Sequence, residues 1–148
     1  MKKNLHRIIM SALLTVLATV AASAQCYIVG SDNEWKTNTA AAELTETATT
    51  GVYEGDVTFV DGAQYFAVTQ HLTTGDADWT EFNKNRFAPS VFDAMLVINE
   101  PMTMVKGRDA SFKVPVAGTT YRMRIDFNNL TGFINEPRLW GVEFKTRF

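Results

Sequence analysis

The chain carries a single cysteine, Cys26, in 148 residues. A lone cysteine cannot close an internal disulfide, so the fold must be held by its core even in an oxidising compartment. Histidine is almost as scarce, with His6 and His71 alone, and only His71 remains if the N-terminal segment is removed. That excludes a multi-histidine metal site and a nucleophile served by a histidine pair. Positive charge is not in excess either: the formal net charge is −2, and it becomes −5 without the three cations Lys2, Lys3 and Arg7. Nucleic acid and anionic membrane surfaces are bound through clustered Lys and Arg, so neither is expected as a partner. There is no internal repeat and no heptad pattern, and the one long apolar run, 8–20, is short of the roughly 20 residues that span a bilayer. No transmembrane helix is expected in the mature chain, and nothing points to a cofactor.

What is present begins with that N-terminal segment. Lys2, Lys3 and Arg7 precede the apolar run, no acid interrupts it, and Ala22-Ser23-Ala24 supplies the small residues of a cleavage site. Residues 1–24 therefore read as a signal peptide, with residues 25–148 as one exported domain in the periplasm, at the cell surface or secreted. Lipid attachment at Cys26 would want a small residue before it. Gln25 stands there instead, so cleavage after Ala24 is the expectation.

Alternation with a period of two dominates the rest. In 52–60, Tyr53, Gly55, Val57 and Phe59 share one face and Glu54, Asp56 and Thr58 the other. Asp61-Gly62 suggests a tight turn into 64–70, making an antiparallel hairpin. Segment 110–116 and segment 120–127, joined at Gly118, read as a second hairpin, with Tyr121, Met123, Ile125 and Phe127 alternating with Arg122, Arg124 and Asp126. Asn128-Asn129 and Gly132 punctuate a turn before Phe133-Ile134, and 139–148 offers a last strand with Trp140 in the core. Segment 36–50 reads as a loop with a short edge strand around Leu44, and no segment reads as a helix. Seven or eight short strands imply an all-β domain, expected as a two-sheet antiparallel β-sandwich of Ig-like type, with a closed barrel as the alternative that alternation cannot separate from it.

Several strings go beyond alternation: Tyr27-Ile28-Val29-Gly30 followed by Ser31-Asp32-Asn33-Glu34-Trp35, then Gly51-Val52-Tyr53-Glu54-Gly55, Tyr65-Phe66, and Asn85-Arg86-Phe87-Ala88-Pro89-Ser90. Their order resembles the small β-sandwich modules of exported Bacteroidetes proteins, in particular the starch-binding repeats of SusE/SusF-type outer-membrane proteins. The resemblance implies a carbohydrate-binding module without catalytic activity, whose partner is a neutral polysaccharide or oligosaccharide such as starch or another α-glucan. It departs from that group in having one module and a poor lipid-attachment site.

Sugar rings present flat C–H faces to aromatic rings, and each half-covered aromatic contributes about 2 kcal/mol by area. Trp35 and Trp79 are the candidate platforms, since Asp32, Asn33, Glu34 and Lys36 surround one and Asp76, Asp78 and Glu81 the other. Asn83, Lys84, Asn85 and Arg86, in a segment 83–90 read as a surface loop, are candidate hydrogen-bonding partners, with Phe82 as further platform. The acid pairs Asp32/Glu34 and Asp76/Asp78 lack the spacing of a calcium loop and are too commonplace to mark a glycosidase. The competing function is a structural or adhesive module that binds a protein partner in the cell envelope.

Overall fold

The computed structural model describes residues 25–135. The expected signal peptide 1–24, Trp140 and the expected strand 139–148 lie outside the described residues. Ten strands and one short α-helix make up the described chain: β1 (Cys26–Gly30), β2 (Ala42–Glu46), β3 (Val52–Thr58), β4 (Tyr65–Thr69), α1 (Trp79–Asn85), β5 (Arg86–Pro89), β6 (Ala94–Met95), β7 (Met102–Lys106), β8 (Phe112–Lys113), β9 (Thr120–Asp126) and β10 (Thr131–Asn135).

The architecture corrects the expected sandwich. Strands run in the order β1-β2-β3-β9-β10-β7-β5-β4, and β4 pairs back onto β1, so eight strands close into a barrel in which every pairing is antiparallel. Two short strands are added at the side: β8 pairs with the start of β4, and β6 lies parallel to β8. Closure removes the unpaired strand edges that a sandwich keeps.

Both expected hairpins are replaced by longer-range pairings. β3 lies against β9 along its whole length, from Val52 opposite Asp126 to Thr58 opposite Thr120, whereas β4 lies against β1. The chain around Asp61-Gly62 crosses the end of the barrel, held by Phe59 N–H to the Thr119 carbonyl and Val114 N–H to the Gln64 carbonyl. Phe59 and Phe66 meet in the core with ring centres 5.4 Å apart although their strands are not paired. β8 likewise leaves β9 to its other partners. The segment around Leu44 is a strand, but not an edge: β2 is bonded to both β1 and β3. Two other hairpins form, β2 with β3 and β9 with β10; in the second, Asp126 Oδ1 accepts from the Asn128 and Asn129 N–H groups and shapes the turn.

Alternation decides what fills the barrel. Ile28, Leu44, Tyr53, Val57, Phe66, Val68, Tyr121, Met123, Ile125 and Ile134 point inward and form one buried cluster with Cys26. An eight-stranded barrel is just wide enough for its side chains to fill, and the gap among Phe66, Leu96, Phe112 and Met123 admits no water. Gly30 closes the seam. A Cβ there would lie 2.2 Å from the Tyr65 carbonyl oxygen and 2.7 Å from Phe66 Cα, so only glycine lets β1 approach β4 this closely. Apolar side chains inside and Glu54, Asp56, Arg122 and Arg124 outside reverse the pattern of membrane-spanning barrels. No helix among the described residues is long and apolar enough to cross a membrane.

Candidate functional site

Among the described residues the barrel interior is filled by side chains, which leaves their outer faces to meet a ligand. The outward residues Val29 of β1 and Ala67 of β4 are buried beneath a second, small cluster made by Phe82, with Trp35 and Leu72 packed against it. The helix supplies this cover, and it corrects both the expectation that no segment is helical and the reading of 83–90 as a surface loop. Asp78 caps α1 by accepting from Glu81 N–H at 3.1 Å, which satisfies one of its free amide donors. Trp79 and Phe82, three apart on the helix, then share one face, with rings 5.9 Å apart and edge to face. Beyond the helix, 86–89 is the buried strand β5.

Trp35 reaches the same place from the other side. It follows a single 3-10 turn, Ser31–Asn33, and both Glu34 and Trp35 have positive φ, 56° and 58°. Asn33 holds that turn, accepting from Gly30 N–H and donating to the Lys36 and Thr39 carbonyls. The two indoles meet at 6.4 Å between ring centres, inclined at 48°. Trp79 is 40% exposed, and Trp35 is half-buried.

The remaining candidate residues divide between surface and support. Lys84 is exposed and pairs with Glu81 at 3.5 Å, while Asn85 Nδ2 donates to Glu81 Oε1. Phe82 is fully buried, and Arg86, at 2% exposure, lies beneath the aromatic cluster rather than on it. Its guanidinium sits 5.7 Å from the Trp35 ring centre and 5.5 Å from that of Phe82. It donates to Asn83 Oδ1, to Asp109 Oδ1 at 2.8 Å and to the Ala110 carbonyl. Burial lowers its pKa, and the charge of Asp109 opposes that shift. Asn83 is thereby engaged inward as well.

Two residues that hold the site escaped sequence reading. Thr37 is buried, and its backbone and hydroxyl bind the loop before the helix: its N–H donates to the Asp76 carbonyl, its carbonyl accepts from Thr73, and its Oγ1 accepts from Asp78 N–H. Thr37 thus ties the Trp35 loop to the Trp79 helix, and Asp109 completes the anchorage of Arg86. Neither carries a sequence signal, because a buried threonine and a solvent-facing aspartate read like any others.

Of the polar residues around the tryptophans, Asp32 accepts from Val60 N–H and Glu34 pairs with Lys36. Among the described residues no three His, Cys, Asp or Glu side chains converge to hold a metal ion. His71 is exposed. Together the fold and the site define a filled all-β barrel with an external aromatic cluster. No family model, curated protein or solved structure matches the chain.

Proposed function

We propose that the protein is an exported, non-catalytic binder of a neutral polysaccharide, which it holds by stacking on Trp79 and Trp35. The observation that carries this reading is the convergence of two tryptophans from separate parts of the chain into one outward-facing cluster, with Trp79 40% exposed. A large ring left in water forgoes about 25 cal/mol for each Å² it would bury; a stacked sugar face recovers that loss. The left-handed conformations of Glu34 and Trp35, which cost about 1–2 kcal/mol each, are retained where they present Trp35. Inclination of the rings favours a glycan that turns between successive residues, as an α-glucan does, over a flat ribbon.

A protein partner in the cell envelope is the second reading, and a specific surface favours it. Val91 and Phe92 are each 66% exposed, and Val91 and Val97, both exposed, line a groove of about 290 Å³ between Pro89 and Met102. Exposed large apolar side chains gathered in one segment mark interaction sites.

Affinity electrophoresis through gels containing starch, xylan or mucin separates the two. Retardation in starch is expected, weakened at least tenfold by Trp79→Ala, since loss of one stacked ring removes about 2 kcal/mol. Trp79→Ala should remain folded because the ring is already partly in water. Unchanged mobility in all three gels would reject the glycan reading and favour the protein partner.

A further inference from the structure

On the opposite wall of the barrel from the tryptophans, the strand registers build a second polar surface. β1 and β4, which carry the aromatic cluster, are the seam strands; going round the barrel, β9 and β10 lie farthest from them. Glu54 of β3 stands opposite Arg124 of β9, which stands opposite Phe133 of β10. The flanking rows are Asp56, Arg122 and Asn135 on one side and Asp126 with Thr131 on the other. Glu54, Arg124, Asp126, Thr131, Phe133 and Asn135 line a concavity of about 440 Å³, closed at one side by Pro101. That volume lies in the range of small-ligand sites, about 300–1,000 Å³.

The chemistry of the lining is selective. Glu54 accepts from both Arg122 and Arg124, and Arg122 also donates to Asp56, so four charges cancel in a ladder that is already paired. Asp126 is held by Asn128 and Asn129. Asn135 Oδ1 is buried and has no hydrogen-bond partner among the described residues. Such a surface offers fixed carboxylate acceptors, a fixed guanidinium donor and one half-buried aromatic ring. An anion would face Glu54 and Asp126. A neutral ligand with adjacent O–H groups, each able to donate and accept, and with an apolar C–H face for Phe133, satisfies all of them.

We propose that this concavity is a second glycan subsite, for a neutral pyranose unit, so that one molecule engages two glycan strands on opposite walls. The ligand class rests on the polysaccharide reading given above, whereas the subsite shares no residue with the tryptophan cluster. Because the two faces point apart, a short oligosaccharide cannot span them, and they fill independently.

The test is amide and indole chemical-shift mapping of the isotopically labelled full-length protein, titrated into the millimolar range with maltoheptaose and separately with xylohexaose. Saturable shifts at the Glu54, Arg124, Phe133 and Asn135 amides are expected for at least one of these sugars. They should persist in Trp79→Ala and vanish in Phe133→Ala, whose other signals report that it is folded. Arg124→Lys, which keeps the charge but loses the planar fork, should weaken the same shifts several-fold. Response at the Trp79 indole alone would overturn the second subsite and leave the polysaccharide reading standing. Response at the barrel-wall amides alone would support the subsite and remove the tryptophan site. Loss of both responses in Trp79→Ala would show a single site and overturn the inference, as would silence at these four amides with both sugars.

Discussion

Arg86 shows how one buried charge supports a surface it does not reach. Its guanidinium lies under Trp35 and Phe82 and binds the Ala110 carbonyl, yet its acidic partner Asp109 is 79% exposed. Removing one partner of a fully buried ion pair costs about 3–5 kcal/mol because the other charge is stranded. Here the stranded group is in water. The loss should come mainly from the unpaired Ala110 carbonyl, at about 1–3 kcal/mol. Arg86→Met is therefore expected to lower the unfolding free energy by about 2 kcal/mol in urea titration, and to blue- or red-shift tryptophan emission as the rings resettle. Asp109→Asn should change stability much less. Cys26 is the opposite case: buried in β1, its thiol pKa is pushed up by loss of solvent and by Glu43.

Among the elements, the β1–β4 seam is where the barrel is most sensitive to a single atom. Gly30→Ala places a methyl group against the β4 backbone, with Tyr65 O at 2.2 Å and Phe66 Cα at 2.7 Å, and a backbone neighbour cannot rotate aside. Overpacking of this kind costs about 1–3 kcal/mol. Gly30→Ala is expected at the upper end of that range in thermal unfolding, with hydrogen-exchange protection lost first at β1 and β4. Because Trp35 N–H is bonded to the Gly30 carbonyl, the same change should also disturb the aromatic cluster.

For the whole molecule, the charge ladder on β3 and β9 links stability to pH. Glu54 is held below the usual carboxylate range first by its hydrogen bond from Arg124, and Asp126 first by that from Asn129. A carboxylate whose pKa is depressed on folding stabilises the protein above its unfolded value, about 4, and that contribution is lost as pH falls through the lower folded value. Melting temperature should accordingly be level with respect to these two groups from neutral pH to about 5 and decline below about 4. Glu54→Gln should show a shallower acid decline, a comparison that scanning calorimetry across pH reads directly.

Much of this molecule can be read from residues alone, and the boundary has a physical cause. Alternation in 52–60 and 120–127 correctly assigns Tyr53, Val57, Tyr121, Met123 and Ile125 to the interior, because a side-chain period of two is a property of the extended chain itself. The same local logic marks Asn128-Asn129 as a turn and singles out Trp35 and Trp79 as tryptophans in polar company. Partnership between strands is not local. Nothing in the alternation of β3 tells whether its neighbour is β4 or β9, so both expected hairpins, and with them the sandwich, gave way to a closed barrel. Helix α1 was missed because seven residues are too few for a periodic stripe, and its stability comes from Phe82 packing on Val29 and Ala67. Composition and periodicity thus determined an all-β chain with a disulfide-free apolar core. Tertiary structure decided that the sheet closes, that Trp35 and Trp79 meet while Arg86 lies beneath them, and that Glu54, Arg124 and Phe133 form one row, since each depends on contacts between residues far apart in the chain.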